Sequence, residues 1–152
     1  MFISMIDKIR NLINNLLISR NSAKIKKLVT LKGSSYHFRK TSSIVLDDGS
    51  DRTDIILGDT VWMYGTLASQ NHGKIYFGNN SRIGANSIVG AVKSVQVGDY
   101  TAIADYVIIM DNNNHPVNPR DRLYMRTTDE GSPFRKWKYS DSKPIVIGKN
   151  VW

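Results

Sequence analysis

The segment DNNNHPVNPRDR, residues 111–122, combines a side chain that can move a proton with side chains that can bind an anion. An imidazole, with an ordinary pKa near 6.5, can take the proton of a hydroxyl group as that hydroxyl attacks an acyl carbon. Because proline fixes its own φ and restricts the residue before it, Pro116 holds His115 on a stiff backbone. Two hypotheses are open at this point: His115 is a general base, or it is an exposed residue in an asparagine-rich turn.

The remaining histidines and the lack of cysteine narrow the chemistry. His72 lies in the turn SQNHGK, and His37 lies in SSYHFRK between aromatic residues. Because the chain has no cysteine, disulfides, thiolate zinc sites and cysteine nucleophiles are excluded. The three histidines do not share the close spacing of a metal centre, so we predict that the protein holds no metal.

The positive charge is concentrated at the N-terminus. The 152 residues are enough for one domain with a substantial core, and they carry a net charge of +8. Residues 1–40 contain nine basic side chains and one acid (9 − 1 = +8), which leaves twelve of each sign elsewhere (21 − 9 and 13 − 1). The high isoelectric point therefore belongs to this segment, and a uniform nucleic-acid-binding surface is not expected.

The first nineteen residues have the apolar spacing of an amphipathic helix. The stripe consists of Phe2, Met5, Ile6, Ile9, Leu12, Ile13, Leu16 and Leu17. Two interpretations are open: residues 1–30 lie on an anionic membrane surface, or the helix caps the main domain with its lysines in solvent. No apolar run approaches the roughly 20 residues of a transmembrane helix, and the sequence lacks the pattern of a secretory signal.

Short segments of one form recur from residue 57 onward: an aliphatic residue or Phe, then Gly or Ala, two mostly polar residues, and Ser, Thr or Val. They are LGDTVW (57–62), FGNNSR (77–82), IGANSI (83–88), VGDYTA (97–102), IADYVI (103–108) and IGKNVW (147–152). Phe77 precedes Ile83 by six residues, as Val97 precedes Ile103. Fourteen residues separate Ile83 from Val97, which predicts a small insertion near residues 91–95.

A period of six is neither helical nor simple strand alternation, and it predicts short flat walls joined by turns. Three walls would close a triangular coil of about 18 residues, and about three such coils would stack through parallel strand pairing. The aliphatic residues would then form one continuous core. We expect this domain to span residues 41–152, after a basic helical segment at residues 1–40.

These repeats resemble those of the hexapeptide-repeat acyltransferases. The resemblance implies a mainly β fold: a left-handed parallel β-helix, here with an N-terminal amphipathic helix and a long protruding loop at residues 110–144. It is most specific to the galactoside, maltose and capsular-polysaccharide O-acetyltransferases, which have a His-Pro pair on such a loop, a downstream arginine and a P-I-x-I-G-x-x-V-W segment. Here these are His115-Pro116, Arg122 and PIVIGKNVW (144–152).

The resemblance also implies roles for individual residues. His115 would be the general base for an acceptor hydroxyl that attacks the thioester of acetyl-CoA. Asn86, Asp111 and Arg122 would bind the substrate, and Trp152 would contact the cofactor. Asp111 or a backbone carbonyl would fix the tautomer of the histidine ring. Hexapeptide carbonic anhydrases use three metal-binding histidines, but the spacing here does not favour that assignment.

Three functions are compatible with the pattern. The first is O-acetylation of a saccharide, with a capsular or other envelope polysaccharide favoured because residues 90–94 lack the acidic residues often found in enzymes of small sugars. The second is N-acetylation of a nucleotide-linked amino sugar. The third is a structural or inactive β-helix. The resemblance implies a homotrimer with active sites between subunits, and we expect a cytoplasmic location, with contact at the inner membrane face as an alternative.

Two further expectations concern the loop and the last repeat. Of the basic loop residues, we expect only Arg122 to bind an anion, while Trp137, Tyr124 and Tyr139 would either stack on sugar rings or pin the loop to a neighbouring subunit. The sequence ends at Trp152, inside a repeat. Members of the superfamily usually continue with further coils that carry much of the CoA channel, so we expect further coils or a second chain to cover this edge.

Overall fold

The computed structural model describes residues 4–152, so Phe2 of the predicted apolar stripe lies outside the described residues. The chain begins with helix α1 (Met5–Leu28), whose first turn is capped by Ser4; the hydroxyl of Ser4 accepts a hydrogen bond from the backbone N–H of Asp7. Within residues 4–152, no helix combines the length and apolar character needed to cross a bilayer.

Thirteen short strands follow and form a parallel solenoid of about four coils with three walls. Wall A contains β1 (Thr30–Leu31), β4 (Ile55–Leu57), β7 (Lys74–Phe77), β10 (Ser94–Val97) and β13 (Ile145–Ile147). Wall B contains β2 (Tyr36–Phe38), β5 (Val61–Met63), β8 (Arg82–Ile83) and β11 (Ala102–Ile103). Wall C contains β3 (Ser43–Asp47), β6 (Thr66–Gln70), β9 (Ile88–Ala91) and β12 (Ile108–Met110).

This architecture confirms the predicted fold class of a mainly β, parallel solenoid with an N-terminal helix. Every strand pair is parallel, and each strand pairs with the strand of the same wall in the next coil. The first coil begins at Thr30, so β1 and β2 lie inside the segment that we grouped with the helix, and the coils number about four where about three were expected.

The coil is longer than the 18 residues that the hexapeptide period suggested. Ile55 pairs with Ile75, and Ile75 pairs with Val95, which gives a repeat of 20 residues. Two steps of six lead from wall A through wall B to wall C, and the return to wall A takes eight. The insertion expected near residues 91–95 is one example of this longer corner, which recurs in each coil.

The hexapeptide pattern is explained by the corners between walls. The fourth residue of each unit adopts positive φ, as at Asn80 (53°) and Asn86 (58°), and asparagine tolerates this conformation better than most residues do. The carboxylate at the third position accepts a hydrogen bond from the preceding coil, as Asp99 does from the N–H of Asn79 and Asp105 does from that of Ala85.

The core is a set of aligned columns that run along the solenoid. Leu57, Phe77 and Val97 occupy equivalent inward positions of wall A and are completely buried. Ile25 and Val29 close the first end of this core, where α1 contacts β1, β2 and β3. The fold therefore depends on matching side chains in successive coils as well as on neighbours in sequence.

Helix α1 uses only its C-terminal half to contact the solenoid. Ile25 is buried, whereas Met5, Leu12 and Leu16 of the predicted stripe are exposed. Capping and exposure thus occur in the same helix: the C-terminal turns cap the solenoid, and the apolar stripe remains uncovered.

We expect Gly78→Ala to destabilise the solenoid by about 1–3 kcal/mol, because overpacking at a close backbone contact is costly. A Cβ atom at this corner would lie 2.6 Å from the backbone nitrogen of Asp99 in the next coil. Gly131→Ala is the matched control, since a Cβ there would meet nothing within 4 Å. Chemical denaturation measures both variants; equal midpoints would contradict the stacked-corner explanation.

Candidate functional site

The longest connection in the solenoid leaves the corner between walls C and A. It runs from the end of β12 to the start of β13 and contains helix α2 (Pro119–Thr127), which begins at the cap residue Asn118. Two short 3-10 turns follow, Pro133–Arg135 and Trp137–Tyr139. The equivalent corners of the earlier coils are closed by a few residues, so this loop is an enlargement of one corner that leaves the stacked walls in register.

Asp111 braces the base of the loop. Its side chain is buried, and its carboxylate accepts hydrogen bonds from the backbone N–H groups of Val92 (3.0 Å) and Lys93 (2.6 Å) in the preceding coil. The Lys93 ammonium in turn donates to the carbonyl of Ser142 on the returning strand of the loop, at 2.9 Å. Asp111, which the resemblance assigned to substrate, thus has its carboxylate engaged by backbone groups.

The second half of the loop folds back over wall C. Lys136 pairs with Asp47 at 2.6 Å, and Lys138 pairs with Asp48 at 3.0 Å, so the loop reaches the first coil. The hydrogen bond from Lys136 is the main cause that lowers the pKa of the Asp47 carboxyl below its ordinary value of 3.8. These pairs attach the loop to acids three coils away from its base.

Trp137 lies at the centre of this contact. Its backbone N–H donates to the side-chain oxygen of Gln70 at 3.3 Å, and its ring packs against Gly90 of wall C. A Cβ atom at position 90 would lie 3.1 Å from that ring, so glycine is what admits the indole. Trp137 therefore pins the loop to its own chain, a role that differs from both the sugar stacking and the intersubunit contact considered above.

His115 is exposed on the first part of the loop. Its ring Nδ1 lies 3.3 Å from the carbonyl oxygen of Pro116. Arg122 donates from Nη1 to the carbonyl of Val117 at 2.8 Å, which turns its guanidinium back toward the same segment. His115 and Arg122 line one shallow depression of about 350 Å³ together with Leu123, Met125 and Arg126. The structure thus brings together two of the predicted site residues.

The other predicted residues lie elsewhere. Asn86 is exposed at the corner between walls B and C, so the length of wall C separates that corner from the one where the loop begins. Trp152 is 96% exposed and lines a different cavity, of about 1060 Å³, with Trp62, Tyr64 and Arg82. Within one chain, neither residue shares the depression that His115 lines.

The remaining histidines have structural neighbours. His37 stacks on Trp62 with ring centroids 5.1 Å apart, and His72 Nδ1 lies 3.4 Å from the buried carboxylate of Asp54. Among the side chains of residues 4–152, no group of three or more His, Asp or Glu is placed to hold a metal ion.

Wall B carries an outer ladder of aromatic and cationic side chains that the sequence analysis did not identify. Tyr64 lies between Arg39, at 4.1 Å from its ring centroid, and Arg82, at 5.5 Å. Trp62 pairs in register with His37 of the preceding coil and Arg82 of the next. The spacing of 20 residues between Trp62 and Arg82 would have indicated their contact once the coil length was known.

The sequence matches no family model, no curated protein and no solved structure. A functional assignment for this chain therefore rests on its own residues and on the geometry of the loop.

We expect Asp111→Asn to loosen the base of the loop and lower the unfolding free energy by about 1–3 kcal/mol. The amide would bring an N–H donor to the buried backbone N–H groups that the carboxylate now accepts, which leaves donors unsatisfied. Asp141→Asn, on an exposed carboxylate at the same end of the loop, should have little effect. Equal unfolding curves for the two variants would show that Asp111 is not a brace.

The attachment of the loop to the first coil should weaken in acid. Because the folded-state pKa of Asp47 is lowered, its contribution is present above the unfolded value near 3.8 and is lost as the pH falls through the folded value. Hydrogen-exchange protection of residues 133–140 should decrease in that range. In Asp47→Asn the protection should already be reduced at pH 7, whereas Asp129→Asn should behave as the wild type; unchanged protection in Asp47→Asn would contradict the attachment.

Proposed function

We propose that this protein is an acetyl-CoA-dependent O-acetyltransferase that acts on a saccharide hydroxyl, with His115 as the general base and no metal cofactor. The observation that carries the proposal is the placement of His115: exposed, on a braced loop at a corner of a parallel solenoid, beside Arg122. The resemblance of the repeats and of the His-Pro loop to hexapeptide acyltransferases supports the same assignment.

The contact between His115 and Pro116 supports the role of a base. A carbonyl oxygen only accepts hydrogen bonds, so the approach of Nδ1 to the Pro116 carbonyl favours the neutral tautomer that carries its proton on Nδ1. Nε2 then has the lone pair that proton abstraction requires. The carbonyl supplies the tautomer-fixing acceptor, which the sequence analysis had left open between Asp111 and a backbone group.

The proposed step transfers an acetyl group without a change of oxidation state. Nε2 of His115 takes the proton of the acceptor hydroxyl as its oxygen attacks the thioester carbonyl carbon of acetyl-CoA. A C–O bond forms and the C–S bond breaks, and the thiolate of CoA leaves. The proton on the imidazolium then passes to that thiolate or to solvent, which restores the neutral base.

Positive charge around the depression suits the proposed substrates. Arg122 and Arg126 lie on the same side of α2 and line the depression with His115. Guanidinium groups bind phosphates and carboxylates through paired hydrogen bonds, as CoA or an acidic glycan would require. We propose that Arg122 orients one of these anions, while Lys136 and Lys138 are committed to the loop attachment.

An oligomer would reconcile the positions of His115 and Asn86. Because the two residues belong to different corners of the solenoid, a second copy that places its Asn86 corner against the loop would bring both to one acceptor. We therefore propose that the active form is an oligomer, a homotrimer by the family resemblance. Trp152 and the cavity of wall B would then lie near the cofactor.

His115→Ala should reduce acetyl transfer by about 10²–10⁴-fold, the usual range for loss of a general base. The assay follows release of the CoA thiol from acetyl-CoA in the presence of neutral and acidic oligosaccharides or of nucleotide-linked 4-amino sugars. Transfer to amino sugars alone would identify the protein as an N-acetyltransferase. The circular dichroism of the variant should be unchanged, because His115 makes no contact with the walls.

His37→Ala is the matched control, since it removes an exposed imidazole outside the loop, and it should retain activity. Near-normal turnover in His115→Ala would contradict the assignment of the base. The absence of saturable CoA binding by calorimetry at millimolar CoA would favour a structural solenoid instead.

A further inference from the structure

Helix α1 presents an uncovered row of large apolar side chains. Seven such residues of the first half of the helix are exposed, from 43% to 76%: Met5, Ile6, Ile9, Leu12, Ile13, Leu16 and Leu17. Isolated apolar residues on a surface are common, but a contiguous row of this size usually marks an interaction surface.

This apolar row faces away from the solenoid. Leu16 and Ile25 are nine residues apart, which is about two and a half turns and places them on opposite sides of the helix. Ile25 is buried in the core, and Asn21 donates hydrogen bonds to the carbonyls of Arg39 and Ser42 in the first coil. The side of α1 that carries the row is therefore accessible to a flat surface.

The same side of the helix becomes basic toward its C-terminus. Arg20 follows Leu16 by four residues, and Lys24 and Lys27 continue at helical spacing; all three are exposed. An apolar row with exposed cations beside it suits a bilayer interface, where acyl chains take the apolar groups and headgroup phosphates take the cations.

We propose that α1 lies on the surface of an anionic phospholipid bilayer and holds the solenoid at that surface. The charge of the segment decides between this partner and a second copy of the chain. Residues 1–40 carry nine bases and one acid, so pairing two copies through α1 would bring like charges together, whereas an anionic bilayer neutralises them. The helix would lie in the interface, consistent with its being too polar to cross a bilayer.

The test is flotation of the full chain with lipid vesicles. The protein should float with vesicles of phosphatidylcholine and phosphatidylglycerol, should bind pure phosphatidylcholine much more weakly, and should be released as the salt concentration rises. Lys24→Gln/Lys27→Gln should weaken binding to the anionic vesicles by roughly 30-fold, since each cation near the surface contributes about fivefold.

Two double variants separate the apolar row from charge alone. Leu12→Glu/Leu16→Glu should abolish flotation, whereas Asn11→Glu/Asn15→Glu adds the same charge at the same spacing outside the row and should retain much of it. Equal flotation of these two variants would overturn the proposal. So would a wild-type protein that ignores anionic vesicles and sediments as an oligomer that Leu12→Glu/Leu16→Glu dissociates, because a second copy would then cover the row.

Discussion

Parallel backbone pairing between successive coils is the interaction on which the rest of this structure depends. Each strand finds its hydrogen-bond partner 20 residues away, so one register fixes the position of every wall. The aligned columns of aliphatic residues, the positive-φ corners and the carboxylates that accept N–H groups from the neighbouring coil all follow from that register. A change that shifts the register of one coil would misplace its side chains relative to both neighbours, whatever the local sequence prefers.

This constraint also explains where the loop lies and why it can be ordered. Additional residues can be accommodated at a corner, because corners end the strand pairing, and the corner between walls C and A is already the longest in each coil. The loop of residues 111–144 enlarges that corner and is held at both ends: Asp111 at its base, and Lys136 and Trp137 on wall C. A histidine on such a loop has a defined position without being buried, and this is the geometry expected of a base that must meet two mobile substrates.

The sequence was sufficient to predict the walls, because their inward residues recur at a six-residue period that neither a helix nor an ordinary strand produces. It was insufficient for the length of the coil, since the two additional residues at the third corner lack the hexapeptide pattern. It also could not show that Asp111 braces the loop or that Trp137 packs on Gly90, because those contacts join residues 18–47 positions apart and depend on the register. Local pattern identifies elements of this fold, whereas tertiary pairing decides what each loop residue contacts.

The N-terminal helix illustrates how one element can satisfy two demands. A solenoid needs its first coil covered, because exposed core residues and unpaired strand edges favour association with other chains. The last turns of α1 meet that need through Ile25, and a cap requires only one side of a helix. The opposite side is thus free of any structural requirement, and a purely structural cap would be expected to present polar residues there. Its apolar row is therefore better explained by an interaction outside the chain than by the stability of the solenoid.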